Sequence, residues 1–318
     1  MVERNSKSVR LCPICTSARS TLLANVRDIE YQTSLKDYYY YQCDKCKIVY
    51  LNNPPTDELN LIYPKNYYSY LDVNDNISVP RKLVWKVKEF IDLKLLKRLL
   101  KRLNVNAPTV LDVGGGSGYL LSLIKKYNPM IRETYIVDFD EGSKNIAERN
   151  GHKFVKSTIE CATLEKKFNL VLMLNLIEHV ADPILVLKKI YSITLPGAVV
   201  LIKTPNTASL NFKLFSRSYW GGYHAPRHFV LFNKDNFASV CQKIGFSEIE
   251  ILPTQGAPQW VASIHGAFHI KKLLERGIFP KQVFGQNIPI FLLVLAACFD
   301  VVFGKLFGTD QMFVVLKR

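Results

Sequence analysis

No internal repeat and no low-complexity tract occurs in the 318 residues, which excludes solenoid and fibrous architectures. No apolar run reaches the roughly 20 residues that a membrane-spanning helix needs. The longest, IPIFLLVLAACFDVVFG (288–304), is interrupted by Asp300, so a buried or interfacial helix is expected there. The opening MVERNSKSVR is polar and no apolar stretch follows it, which favours a cytoplasmic chain over an exported one. Acidic residues are scarce beside basic ones, 27 against 42, for a net charge of +15. The imbalance is uneven: residues 1–103 hold 18 basic and 11 acidic residues, 104–205 hold 12 and 10, and 206–318 hold 12 and 6. A near-neutral middle between basic flanks suits a catalytic core whose appendages meet phosphates, whether on nucleic acid, a nucleotide sugar or a lipid surface. What is plentiful is apolar material, 48% of the chain, enough for a substantial core in one large or two modest domains.

Seven cysteines in an unexported chain point to thiols and a metal rather than to disulfides. Cys12 and Cys15 form one C-x-x-C knuckle, Cys43 and Cys46 a second. Each knuckle brings two thiolates to one ion, and four thiolates make the closed, structural form of a zinc site. YYYYQ (38–42) reads as a strand entering the second knuckle and KIVYL (47–51) as one leaving it, the pattern of a zinc ribbon over residues 8–55. Cys161, Cys241 and Cys298 have no such partners and are expected to be buried apolar residues.

Residues 56–105 form a connector and a basic helix. The helix is read over 79–105, where Val84, Val87, Ile91, Leu95, Leu99 and Leu103 recur at helical spacing and nine Lys or Arg lie between Arg81 and Arg102. Such a stripe packs on a core or lies on an anionic membrane; the core is the commoner destination.

From 109 onward strands and helices alternate: TVLDVG, GYLLSLIKKY, TYIVDF, GSKNIAERNG, FNLVLMLNLI, DPILVLKKIYSIT, AVVLIKT. Alternation of this kind predicts an α/β fold, a Rossmann-like, doubly wound parallel sheet of seven strands, with its ligand site at the strands' carboxyl ends. DNFASVCQKIGFSEIEIL (235–252) supplies a helix and a sixth strand, and DQMFVVLKR (310–318) a seventh, antiparallel edge strand, after a helical insertion over about 255–309. The α/β domain is therefore read over 106–318. In the first turn Gly114, Gly116 and Gly118 fit G-x-G-x-G, but Tyr119 stands where a dinucleotide turn wants its third glycine. Asp112 decides the matter. An acid inside the turn repels a pyrophosphate and suits a cofactor with an ammonium group, and S-adenosylmethionine carries one. Asp138, at the end of the second strand, is placed to accept hydrogen bonds from a ribose diol.

VLDVGGGSG (110–118) resembles the first motif of class I S-adenosylmethionine-dependent methyltransferases. The likeness continues through NLIEHVADP (175–183) and LPGAVVLIKTPN (195–206), which look like the ubiquinone-biosynthesis type and its relatives with an amino-terminal zinc ribbon. YWGGYHAPRHFVLF (219–232) is similar to that group's substrate-side segment, and the likeness runs from residue 10 to about 250. It implies that Asp112, Gly114, Gly116 and Gly118 hold the methionine end, Asp138 the ribose, Thr158, Ile159 and Glu160 the adenine, and Asn175 the sulfonium side. KSTIE (156–160) lacks the family's usual acid beside the adenine. Because the relatives are common in making cell-surface polysaccharides and modified sugars, the implied acceptor is a sugar or lipid-linked saccharide, methylated on oxygen or carbon.

Methyl transfer is largely a matter of positioning, but an oxygen or carbon acceptor also needs a base. Histidine is the default. His228 is the first candidate, with His224 on the same loop and Glu178 and His179 after the fourth strand; Arg227 is a candidate phosphate clamp. The insertion is expected to be a lid on the core, with an interfacial helix contacting the inner face of a membrane as the alternative. Two rival functions remain: a zinc-ribbon RNA methyltransferase, disfavoured because NLIE stands where amino-nitrogen enzymes place Asn/Asp-Pro-Pro-aromatic, and a non-catalytic zinc-ribbon adaptor.

Overall fold

Strands that are apolar on both sides have to be covered on both sides, and the central strands here are of that kind. The computed structural model describes residues 9–64, 79–270 and 290–318, the side chains of 79–84, 269–270, 290 and 305 excepted. The part of the connector beyond Pro64 up to residue 78, and the insertion over 271–289, lie outside the described residues.

The larger sheet has seven strands: β4 (Val110–Val113), β5 (Thr134–Asp138), β6 (Lys153–Lys156), β7 (Phe168–Leu174), β8 (Thr194–Pro205), β10 (Glu248–Thr254) and β11 (Gln311–Lys317). Their order is β10-β11-β8-β7-β4-β5-β6. β4 to β8 are mutually parallel, and β11 runs antiparallel to both neighbours. The last strand is thus antiparallel as expected but sits inside the sheet, and β10 takes the edge. Strand order reverses between β4 and β7, which opens the crevice where a ligand binds in such sheets.

One face carries α5 (Pro183–Ile193) and α7 (Lys234–Ile244), packing Val186, Leu187, Ile190, Phe237 and Val240 against Leu111, Val171 and Met173. The other face carries α2 (Val79–Leu100), α3 (Tyr119–Tyr127) and α4 (Glu141–Arg149), packing Leu96, Leu99, Leu123, Ile124 and Ala147 against Val110, Ile136 and Leu170. Local chemistry sets the helix ends: Asp182 caps α5 ahead of Pro183, and Asn233 and Asn236 make a capping box on α7. The basic helix departs from expectation. Leu96, Leu99 and Leu103 are buried, while Val87 and Ile91 of the expected stripe are more than half exposed.

The smaller sheet, in the order β1-β2-β3-β9, is antiparallel. It contains β1 (Ser20–Val26), β2 (Tyr38–Cys43), β3 (Val49–Leu51) and β9 (Val230–Leu231). After β3 the short α1 (Leu59–Ile62) buries Ile62 in the same core. β9 comes from the far end of the chain, and its apolar residues share one continuous core with the larger sheet. The amino-terminal unit is therefore closed by the segment 219–232. Cys241 is buried as expected, but Cys161 and Cys298 are exposed, a correction to the sequence reading.

Candidate functional site

The stretch after β4 must turn sharply before α3 begins, and its glycines make that possible. Gly114, Gly116 and Gly118 all have positive φ, from +52° to +82°. Gly118 has a second constraint, since a Cβ there would lie 2.5 Å from Cδ2 of His152. A Cβ on Gly116 would meet only Ser143 Oγ at 3.7 Å, so that glycine leaves its backbone bare toward open space.

Asp112 is buried and accepts no hydrogen bond among the described residues. Burial, followed by the neighbouring charge of Asp138, pushes its pKa up to about 8. A buried acid in that state gains most from a cationic partner. Asp138 at the end of β5 is fixed by two backbone donors: Gly116 N reaches its Oδ2 at 2.9 Å and Asp140 N its Oδ1 at 3.0 Å. Each oxygen keeps a lone pair for a ligand hydroxyl. Ser157 N donates to the Asp138 carbonyl, which brings the turn at Thr158–Cys161 beside this acid. Ile159 there is buried and Glu160 half-buried. Asn175, just past β7, has φ +52°, and its buried Oδ1 has no donor among the described residues. A bared turn, an unpaired buried acid and an unpaired amide oxygen at the ends of the strands flanking the crevice fit a cofactor that carries an ammonium group.

A second cluster lies on the same side. After Asn175 the chain makes a short 3-10 turn, Ile177–His179. Phe229 N donates to the Glu178 carbonyl at 2.7 Å and so lays the segment 219–232 across the ends of β7 and β8. His179, His224 and His228 meet there, with ring centroids 4.6 to 6.2 Å apart. His228 Nδ1 is 2.7 Å from the Gly222 carbonyl. A carbonyl only accepts, so Nδ1 carries the hydrogen and Nε2 is left as the basic nitrogen. Nδ1 of His224 faces the Glu30 carboxylate at 2.7 Å in the same way. His179 Nδ1 pairs with the Tyr63 hydroxyl at 2.8 Å, and Tyr63 in turn packs near Phe139, the residue after Asp138. Burial lowers the pKa of His179 to about 3, the nearby His224 adding to it, and takes His228 well below its ordinary value. Glu178 is fully buried; burial raises it to about 8, and it accepts from Thr204 Oγ1 at 3.0 Å. One of its oxygens lies within 4.8 Å of ring nitrogens of His179 and His228, within metal-ligand reach of both.

Arg227 is not a phosphate clamp. It is fully buried, and its guanidinium is engaged by Asp28, the Ile62 and Ala225 carbonyls and the face of Tyr31. Burial alone would push Asp28 up, but the hydrogen bonds and charge of Arg227 outweigh it and hold the carboxyl below its ordinary value. Asp28, Glu30 and Tyr63 thus support the histidine segment from the amino-terminal side. No motif in the sequence marks them.

The four cysteines of the two knuckles converge, with all four sulfurs within 4.8 Å of one another. Cys12 and Cys46 are 3.5 Å apart, as are Cys15 and Cys43. A tetrahedral site with sulfur bonds of about 2.3 Å separates its sulfurs by about 3.8 Å, so the donor set and its spacing fit a zinc ion with no open position.

A family profile described as "Methyltransferase domain" matches residues 86–251, from within α2 to β10. A protein of Methanocaldococcus jannaschii named as a methyltransferase is 29% identical over 128 residues, 39% of this chain and 46% of the relative. The ubiquinone biosynthesis O-methyltransferase of Coxiella burnetii is 25% identical over 127 residues, 38% of this chain and 52% of the relative. The chain spans about half the length of these curated relatives. Among solved structures, a SAM-dependent methyltransferase of Archaeoglobus fulgidus aligns at a TM-score of 0.46 and 18% identity, covering 72% of this chain and 94% of that one.

Proposed function

The chain belongs to the methyltransferase-domain family, and on that premise we propose that it transfers a methyl group from S-adenosylmethionine to an oxygen or carbon of a sugar or glycolipid acceptor. When bound, the cofactor supplies a methyl carbon already activated by its sulfonium, so the chain's own work is to hold, orient and deprotonate. Asp112 would accept the ammonium, and the bare backbone at Gly116, in the turn that Gly114 and Gly118 make possible, would admit the methionine end. Asp138 would accept the ribose hydroxyls, the Ile159–Glu160 turn would border the adenine, and Asn175 would stand on the sulfonium side. Cys12, Cys15, Cys43 and Cys46 hold a structural zinc.

One observation carries the catalytic reading: His228 has its Nδ1 hydrogen committed to Gly222, which leaves Nε2 as the basic nitrogen of a buried ring. A depressed pKa keeps that nitrogen unprotonated at neutral pH, as a general base must be. His179 and His224 orient it, and Glu178 fixes the turn beneath. The acceptor class is supported by the apolar carboxyl-terminal helices beside this segment, which poorly suit an RNA surface. The test is radiolabelled methyl transfer to nucleotide sugars, glycolipid extract and total RNA, with wild type and His228→Ala. The expected result is transfer to the saccharide fractions and a fall in kcat of about 10²–10⁴-fold in the variant with cofactor affinity retained. Near-wild-type turnover in His228→Ala removes it from the mechanism, and transfer to RNA alone overturns the acceptor.

A further inference from the structure

The last long helix, α9 (Ile290–Phe307), is apolar nearly all round and sets its one acid against the protein rather than toward water. Its one acid, Asp300, is 4% exposed and points into the protein, where Gly256 N donates to it at 2.7 Å and Trp260 Nε1 at 2.9 Å. Its apolar side chains point outward: Phe291 and Leu295 are each 62% exposed, Val302 64% and Leu306 77%. At about 100° per residue, positions 291, 294, 295, 298, 301, 302 and 306 share an arc of about 140°, and Asp300 lies diametrically opposite it. A helix facing water does the reverse.

The exposed arc has neighbours of its own kind. α8 (Ala257–His265) packs along α9, with Trp260 edge-on to Phe299 at 5.2 Å, and it also touches α6 (Leu210–Phe215). Ile264, Phe268 and Leu214 extend the apolar exposure across these elements, and Lys213 and Arg217, both exposed, flank it. Residues 206–318 have twice as many bases as acids, and two of those six acids, Asp300 and Asp310, are buried.

We propose that this face docks on an anionic lipid bilayer, with α9 lying in the interface. Such binding grows with buried apolar area plus attraction of basic residues to anionic headgroups, and both are present on one surface. Among the described residues no helix is long and apolar enough to cross a membrane, and Asp300 and Trp260 tie α9 lengthwise to the protein. Docking has a consequence for the candidate site. Ser263 of α8 accepts from Gly221 N at 2.8 Å, at the start of the turn that leads to His224 and His228. The helix pair thus holds the histidine segment next to the bilayer surface. That a lipid-linked acceptor is what the surface presents rests on the function proposed above; docking itself does not.

The test is co-sedimentation of the full chain with vesicles of phosphatidylcholine alone and of phosphatidylcholine mixed with phosphatidylglycerol, at about 0.15 M and about 0.5 M salt. We expect binding to the anionic vesicles, weakened by salt. Leu295→Ser/Val302→Ser should lower the partition coefficient at least about tenfold, and Lys213→Gln/Arg217→Gln should lower it for anionic vesicles only. Thermal melting and cofactor binding serve as folding controls and should not change. No sedimentation of the wild type, or equal binding by the apolar variant, overturns the proposal. So does a wild-type dimer in solution that the apolar variant dissolves, because a second copy then covers the face. Vesicle binding is read without methyl transfer, so its failure is distinguishable from failure of the proposed activity.

Discussion

The two additions to the seven-stranded sheet are held in opposite ways. The amino-terminal unit is turned inward: it closes on itself through four converging thiols, borrows the strand Val230–Leu231, shares its apolar core with the sheet, and buries the ion pair Asp28–Arg227. The carboxyl-terminal helices turn their one buried acid inward and their apolar surface outward. The first arrangement uses burial to fix the histidine segment; the second leaves burial to be completed by something outside the chain.

The comparison breaks most readily at Asp28. Asp28→Ala leaves the Arg227 guanidinium buried with its carbonyl contacts but without its counter-charge, which costs about 3–5 kcal/mol, and calorimetric melting should show a correspondingly lower Tm. A Tm equal to wild type would mean that the amino-terminal unit is not tied through this pair. A smaller effect belongs to the sheet between the two additions. Asp112, raised to about 8, is protonated in the folded protein but ionised in the unfolded chain above about pH 4. The folded state then binds more protons, so stability falls as pH rises toward 8. Histidines in the unfolded chain are half deprotonated at about pH 6.5 and about nine-tenths so at about pH 7.5, so between about pH 7 and 8 the raised carboxyls, Asp112, Glu178 and Asp310, outweigh them in the slope. Melting of the ligand-free protein across that window should show a falling Tm, and a shallower fall in Asp112→Asn; equal slopes would contradict the assignment. The smallest effect is expected outermost. Leu306→Ser, at a side chain already 77% exposed, should change folding stability by no more than about 0.5 kcal/mol in denaturant titration. A larger loss would show that α9 is packed in a way its exposure does not reveal.

How much of this was legible in the sequence depended on whether the signal was contiguous. The cofactor turn, the strand-helix alternation and the cysteine knuckles are local patterns, and each appears where its spacing puts it. Asp28, Glu30 and Tyr63 reach the histidine segment and its arginine across 116 to 199 residues, a separation that no periodicity encodes. Strand order is likewise a property of pairing, which is why DQMFVVLKR was readable as antiparallel but not as interior. The basic helix misled for another reason. It is apolar on two sides, so the Val87–Ile91 side and the Leu96–Leu103 side form one apparent stripe, although only the second meets the sheet.

The most direct measurement is titration calorimetry of S-adenosylmethionine into wild type and Asp112→Asn, with NADH as the competing ligand. The account predicts one saturable site in the wild type, affinity at least about tenfold weaker once the carboxylate is gone (about 1.4 kcal/mol), and no heat from NADH. Binding of NADH with none of S-adenosylmethionine, or equal affinity in the two proteins, would contradict it.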